Sequence, residues 1–265
     1  MIEVQTFQTL DQAARAVDNN ATYLGGGTLV MRALNYGQQD FQKIIRSTDT
    51  TLKQISDQGQ RVTIGAGVTM SDIMASPLLQ FIAPVARSVG GPAIRNMATV
   101  GGNLFAKHPY GDLTVALLAL EGIVKMDNGS EIDLEQFLAS RDNSTGLVSS
   151  VSITKPNGND FKYKKVSRVK PKGISVMSIA VWLPNQYGNI SNARIAFGAM
   201  SDTPKRAKMT EQALEGKSLD ATQIEPALKA LENDFSPPED AIASSWYRAQ
   251  VAPVHLRRLL LGEGN

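Results

Sequence analysis

Two glycine-rich phrases constrain this chain more than anything else in it: Leu24-Gly25-Gly26-Gly27-Thr28-Leu29-Val30 and Ala98-Thr99-Val100-Gly101-Gly102-Asn103-Leu104. Glycine lets the backbone turn through positive φ and lets amide N–H groups approach an anion with no Cβ in the way, so each phrase can cradle a phosphate. Two such loops predict one ligand with two anionic groups, such as a diphosphate. The first phrase lacks the Lys-Ser/Thr ending of a Walker loop, and neither has the spaced glycines of the dinucleotide fingerprint. The expected scaffold is therefore not a Rossmann fold.

Local patterning places both loops in small α/β modules. Thr9-Leu10-Asp11-Gln12 reads as a capping box opening a helix through Val17, and Thr22-Tyr23-Leu24 as a strand entering the first loop. A short helix is expected over Arg32–Leu34 and a strand over Lys43–Ile45. Arg61–Val68 reads as a strand, Thr69-Met70-Ser71-Asp72 as a helix start, and Phe81–Val89 as a helix ended by Gly90-Gly91-Pro92, with the second loop following at once. An apolar helix follows over Thr114–Leu120, then a strand over Ile123–Met126 and a tight turn at Asp127-Asn128-Gly129. Beyond that the texture is antiparallel: Leu147–Ile153, Phe161–Val166, Val176–Leu183 and Ile190–Phe197 are strand-like, with turns at Asn157-Gly158-Asn159 and Asn185–Asn189. Helices are expected near Thr210–Leu214, Ile224–Leu231 and Trp246–Leu261.

Composition removes several chemistries. Zero cysteines among 265 residues means no disulfide, no thiolate nucleophile, no cysteine-held zinc and no iron–sulfur cluster in this chain. Two histidines, His108 and His255, are too few for an ordinary histidine metal site, so no metal ligand is assigned. A net charge of +2 without a basic block gives no case for nucleic acid, the densest basic stretches being Lys162-Tyr163-Lys164-Lys165 and Lys170-Pro171-Lys172. Apolar runs fall far short of the roughly 20 residues of a membrane span, and the first residues lack a signal-peptide pattern, which points to the cytoplasm. With hydrolase machinery poorly supplied, a bound organic cofactor is the expected source of chemistry.

Individual residues sharpen this. Thr28 and Thr99 can add hydroxyl bonds to a phosphate, and Asn103 offers both a donor and an acceptor. Asp112 is either the N-cap of the apolar helix or an acceptor for sugar-like hydroxyls of the ligand, and the two roles are compatible. If Phe161 and Tyr163 face the core, alternation puts Lys165 on the same face and Lys162 and Lys164 outside. The Lys165 amine then either snorkels to water or meets a ligand's polar edge. Arg95-Asn96 is expected to pin the second loop, and His108 to be exposed on the loop ahead of Asp112.

In order along the chain, these residues resemble one family, the FAD-binding (medium) subunit of molybdenum hydroxylases of the xanthine dehydrogenase and aerobic carbon monoxide dehydrogenase group. The resemblance runs through Leu24–Val30, Ile64-Gly65-Ala66-Gly67-Val68-Thr69, the specific stretch Gly91–Leu104, Gly111-Asp112 and Leu117–Leu120. Farther on it takes in Tyr163-Lys164-Lys165 with Arg168, Ala196-Phe197-Gly198, Thr203–Ala207 and Tyr247-Arg248. It implies an α+β protein. An α/β FAD-binding domain of the vanillyl-alcohol-oxidase/PCMH type is formed by subdomains 1–55 and 56–155, with a C-terminal antiparallel-sheet-and-helix domain over 156–265.

The resemblance further implies that Leu24, Gly25, Gly26, Gly27, Thr28, Leu29 and Val30 wrap the diphosphate. Ala98, Thr99, Gly102, Asn103 and Phe105 would form a second wall, Asp112 would meet ribityl or ribose hydroxyls, and Lys165 would lie at the flavin region, with Leu147 or Val148 against the ring system. Leu29 stands where relatives often have Asp, and His108-Pro109-Tyr110 is unusual. The implied role is an electron-transfer subunit with no catalytic residue of its own. FAD sits in this chain, the molybdopterin-type molybdenum cofactor in a large partner, and two [2Fe–2S] clusters in a small partner, possibly in a dimer of heterotrimers. Two alternatives stay open, a stand-alone flavin-dependent oxidoreductase of the same fold and a non-catalytic nucleotide-binding module. Flavin absorbance separates the last of these from the others.

Overall fold

The computed structural model describes residues 2–143, 146–169, 173–184 and 188–263. Along the chain, β1 (Glu3–Phe7), α1 (Leu10–Ala16), β2 (Ala21–Tyr23), α2 (Val30–Asn35) and β3 (Lys43–Ser47) come first. They are followed by β4 (Ile55–Gln58), β5 (Arg61–Gly65), α3 (Met70–Ala75), α4 (Ala83–Ser88), α5 (Pro92–Arg95), α6 (Val100–Leu104) and α7 (Asp112–Ala119). Next are β6 (Ile123–Met126), β7 (Glu131–Asp133), α8 (Leu134–Ser140), β8 (Val148–Thr154), β9 (Phe161–Ser167) and β10 (Ser175–Trp182). The chain finishes with β11 (Arg194–Gly198), β12 (Lys205–Arg206), α9 (Lys208–Leu214), α10 (Glu225–Ala230) and α11 (Ser245–Leu261).

Internal contacts divide the chain into two units, Met1–Ala106 with Gly122–Ile153, and Lys107–Glu121 with Thr154–Asn265. The excursion of residues 107–121 into the second unit leaves no mark in composition. The first unit holds a parallel sheet ordered β1-β3-β2 and a five-stranded sheet ordered β4-β5-β8-β6-β7. Several of its helices start where side chains satisfy the first amides. Thr9 Oγ1 accepts from the Gln12 amide at α1, Thr69 and Asp72 form a reciprocal capping box at α3, and Asp133 caps α8. The core of the five-stranded sheet is built from Val62, Ile64, Val124, Val151 and Ile153, all fully buried.

The second unit is a four-stranded antiparallel sheet, β12-β11-β10-β9, with α7 and α11 both packed on β10. That explains why every residue of β10 and of α7 is buried, and why both are mostly apolar. Helix α11 begins at the Ser244 cap and ends at Gly262 in the left-handed region.

Several sequence expectations are corrected by packing. Strand β1 and helix α8 were not anticipated, although Leu134, Phe137 and Leu138 behind Asp133 carry a helical spacing. The strand expected over Ile190–Phe197 starts only at Arg194, because Asn192 takes a φ of 56° and breaks the extended run. Helix α5 fills the stretch after Gly90-Gly91, with Pro92 at its first turn. Lys170-Pro171-Lys172 and most of the expected Asn185–Asn189 turn lie outside the described residues.

Candidate functional site

In the first unit, the Leu24 amide donates to Ile45 O at 2.7 Å and ends the strand-like run, after which the backbone is released into Gly25–Leu29. Gly27 has a φ of +73°, a conformation side chains resist, and its carbonyl takes the Met31 amide as α2 begins. Among the described residues, nothing accepts from the amides of Gly25, Gly26, Gly27, Thr28 or Leu29. The loop carries no charged side chain. Partly exposed donors without acceptors on an uncharged glycine loop suit an anion held by backbone alone.

The two glycine phrases meet. A Cβ on Gly26 would collide with the Met97 carbonyl oxygen, and one on Gly25 would stand 3.0 Å from Thr99 Oγ1. The second phrase, however, is not a loop: Thr99 caps helix α6, and Gly101 and Gly102 form its first turn. The Val100 and Gly101 amides bond the carbonyls of Val68 and Ala66, and the Gly102 amide bonds Thr99 Oγ1 at 3.1 Å. The amides of Val100, Gly101 and Gly102 are therefore occupied and do not form a second amide cradle. Gly101 serves close packing instead, since a Cβ there would lie 3.0 Å from that of Ala66. Ala98, Thr99 and Asn103 are buried, and the Phe105 ring is half-exposed against Phe137. Arg95 pins the turn entering α5 through Gly90 O at 2.6 Å, and Asn96 accepts from Ser71. A cleft of about 440 Å³, lined by Thr9, Leu52, Thr51, Lys125, Met126 and Ser149 among others, lies elsewhere in this unit and includes no residue of either phrase.

In the second unit, the N-cap of α7 is Gly111, with a φ of 103°, so Asp112 is the first helical residue and makes no cap bond. Its carboxylate is buried and shared: Oδ2 accepts from Lys165 Nζ at 2.8 Å and Oδ1 from Ser175 Oγ at 2.7 Å. Lys165 does face inward, and the fold brings its amine a carboxylate from 53 residues away. The opposite face of β9 is not open to water. Helix α11 covers it, Lys162 Nζ donates to Leu260 O at 3.0 Å, and burial pushes the Lys162 ammonium pKa down. Ser175 had no sequence signal, since its partner is known only once β10 and α7 are packed. Leu147 and Val148 are buried at the start of β8, in the first unit.

His108, expected on an exposed loop, is instead partly buried with Nε2 2.6 Å from Asp240 Oδ2. Both oxygens of Asp240 also accept from Arg248 Nη2, and Oδ1 accepts from the amides of Ile242 and Ala243. Burial pushes this carboxyl up, but the bonds from His108, Ala243, Ile242 and Arg248 outweigh it and hold the pKa well below 3.8. Arg248, fully buried, adds bonds to the carbonyls of Val176, Pro238 and Ala243. This cluster ties the segment before Asp112 to the C-terminal loops.

With this geometry in hand, comparison with known proteins is specific. Residues 1–156 match the family model for the FAD binding domain in molybdopterin dehydrogenase, and residues 161–262 the CO dehydrogenase flavoprotein C-terminal domain. The chain is 26% identical over 249 residues to the glyceraldehyde dehydrogenase medium chain of Sulfolobus acidocaldarius, covering 89% of this chain and 88% of that one. It is 27% identical over 221 residues to the carbon monoxide dehydrogenase medium chain of Afipia carboxidovorans, covering 77% and 75%. Among solved structures, a chain of the Cu,Mo-CO dehydrogenase superposes with a TM-score of 0.88 at 22% identity, covering 99% of this chain and 98% of that chain. A chain of quinoline 2-oxidoreductase from Pseudomonas putida 86 gives 0.87 at 20%, covering 99% and 96%. These likenesses show the fold to be the α+β arrangement expected from sequence. Among the described residues, no helix is long and apolar enough to cross a membrane.

Proposed function

This chain belongs to the family of FAD-binding domains of molybdopterin dehydrogenases, and from that premise we propose that it is the flavin-carrying electron-transfer subunit of a molybdenum hydroxylase. The observation that carries the proposal is the row of acceptor-free amides from Gly25 to Leu29 on an uncharged loop packed against Thr99. Such a cradle suits a diphosphate that is retained, whereas phosphoryl transfer calls for Lys and a metal.

Each residue then has a task. The amides of Gly25–Leu29 bind the diphosphate, with Leu24 and Val30 fixing the two ends of the loop. Thr28, Thr99 and Asn103 contribute hydroxyl and amide bonds, Ala98 and Gly102 keep the wall low, and Phe105 adds an apolar surface. Asp112 and Lys165 are assigned to the cofactor's hydroxyls and polar edge on the strength of the family resemblance. Bound FAD supplies the capacity to take electrons singly and release them in pairs. The chain's own residues orient the cofactor and exclude water, and none is required to move a proton.

The assembly is part of the proposal. Relatives of this chain are named medium chains of glyceraldehyde and carbon monoxide dehydrogenases, and a structurally similar chain comes from a form of the Hydrogenophaga pseudoflava carbon monoxide dehydrogenase that lacks the Mo-pyranopterin moiety of the molybdenum cofactor. The molybdenum cofactor is accordingly assigned to a large partner, the [2Fe–2S] clusters to a small one, and electrons are to leave through this chain for an external acceptor. Purification of the full chain with FAD present, followed by a visible spectrum, tests the premise. Flavin absorbance is the expected result, and a colourless protein after reconstitution overturns the proposal. Co-purification with a molybdenum-containing chain tests the assembly. Substrate turnover by the isolated flavoprotein would favour a stand-alone oxidoreductase.

A further inference from the structure

Arg141 is an expensive residue to bury. Its side chain sits inside the first unit at 5% exposure, its Nε has no acceptor among the described residues, and burial pushes its pKa down despite the neighbouring Asp142 charge. What it does bind is specific. Nη1 donates to Leu104 O at 2.6 Å and to Ala106 O at 3.2 Å, the two carbonyls on either side of Phe105.

The Leu104 carbonyl lies in the peptide unit that enters Phe105, and in the unit that leaves it the Ala106 amide donates to Asn103 O at 3.2 Å, so the direction of the Phe105 Cα–Cβ bond is fixed. The ring is held a second time, edge-to-face on Phe137 with centroids 5.5 Å apart and planes at 88°. Phe137 and Arg141 lie one helical turn apart across the end of α8, so a single element grips Phe105 by backbone and by ring. Leu104 and Ala106 are themselves buried, so the guanidinium also satisfies carbonyls that water does not reach. Yet Phe105 remains 42% exposed. An aromatic face that is fixed from behind and open in front is a presented surface rather than core.

We infer that Arg141 is a positioning residue that presents the Phe105 ring as a preset wall of the FAD site. The inference rests on the proposed reading of that site and deepens it. A neutral donor in place of Arg141 frees one or both carbonyls and lets the ring turn, so bound flavin loses a defined neighbour.

The test is FAD titration of the full chain by flavin fluorescence, together with the visible circular dichroism of the bound flavin, in the wild type and in R141Q, R141K, F105A and R141Q/F105A. R141Q is expected to weaken FAD binding about tenfold, or about 1.4 kcal/mol, and R141K to recover part of that loss. In the F105A background R141Q should add nothing further, because both substitutions remove the same wall. Full additivity, or wild-type affinity and circular dichroism in R141Q, overturns the inference. Should R141Q not fold, R141K decides: altered flavin circular dichroism supports the role, and an unchanged signal refutes it. A wild-type chain that takes up no FAD would overturn the function itself, whereas normal uptake with indifferent Arg141 variants would sink only this residue's role.

Discussion

Lys165 Nζ stands 2.8 Å from Asp112 Oδ2, and each side chain of this pair is about one-tenth exposed. An ion pair so far removed from water is sensitive to loss of one member, because the survivor remains buried without a partner. Ser175 occupies the other oxygen of Asp112, so the carboxylate is oriented from two sides.

Replacing one partner should therefore cost more than replacing both. D112N or K165M alone is expected to destabilise the chain by about 3–5 kcal/mol, and the double variant D112N/K165M by clearly less than the sum. Urea unfolding of the three variants checks this. A strictly additive cycle would show that the two groups do not depend on each other.

At the glycine loop, the two φ-independent and φ-dependent roles separate by substitution. G26A drives a methyl group into the Met97 carbonyl, which the loop can relieve only by moving away, at a cost of about 3 kcal/mol and with loss of FAD uptake. G27A meets side chains rather than backbone, the nearest being Leu24 Cδ1 at 3.2 Å, and its main cost is the φ of +73°, about 1–2 kcal/mol. Thermal unfolding with and without FAD ranks them, and equal effects would contradict the packing of the loop on Met97.

Thr99 caps α6 and lies beside Gly25. T99V keeps the shape and removes the acceptor for the Gly102 amide, so a loss of about 1 kcal/mol is expected. The same substitution should weaken FAD binding, whereas T99S should leave the cap intact. Comparing the two by unfolding and by FAD titration isolates the hydroxyl.

Asp240 sets an acid limit. Its pKa is lowered in the folded state, so the unfolded chain binds the proton more readily. Its stabilisation is thus complete above the unfolded value near 3.8 and disappears as pH falls through the lower folded value. Urea midpoints taken from about pH 6 down to about pH 2 should fall below about pH 4 in the wild type. D240N should be less stable at neutral pH and lack that part of the slope. An identical slope in both proteins would remove Asp240 as its source.

Much of this was legible in the residues. Thr9 and Thr69 announce helix starts through the spacing of their capping partners, and the alternation in Arg61–Gly65 announces a strand, because both signals are local. The Gly25–Leu29 loop was readable for the same reason: lack of a Cβ acts where it occurs. Gly101 and Gly102 were misread as a loop because glycine in a helix is permitted when a neighbouring backbone, here Ala66, must come close.

What the chain's sequence determined by itself was the inventory: a glycine loop able to cradle an anion, an α+β order of elements, and motifs that place it among flavin-binding subunits. Tertiary structure alone decided which groups meet. Gly26 against Met97, Lys165 and Ser175 on Asp112, His108 on Asp240 and Arg141 around Phe105 all join residues distant in sequence. No helical or strand period encodes such a pair. Each forms only when burial strips a polar group of water and leaves it the partners that the packed elements happen to supply.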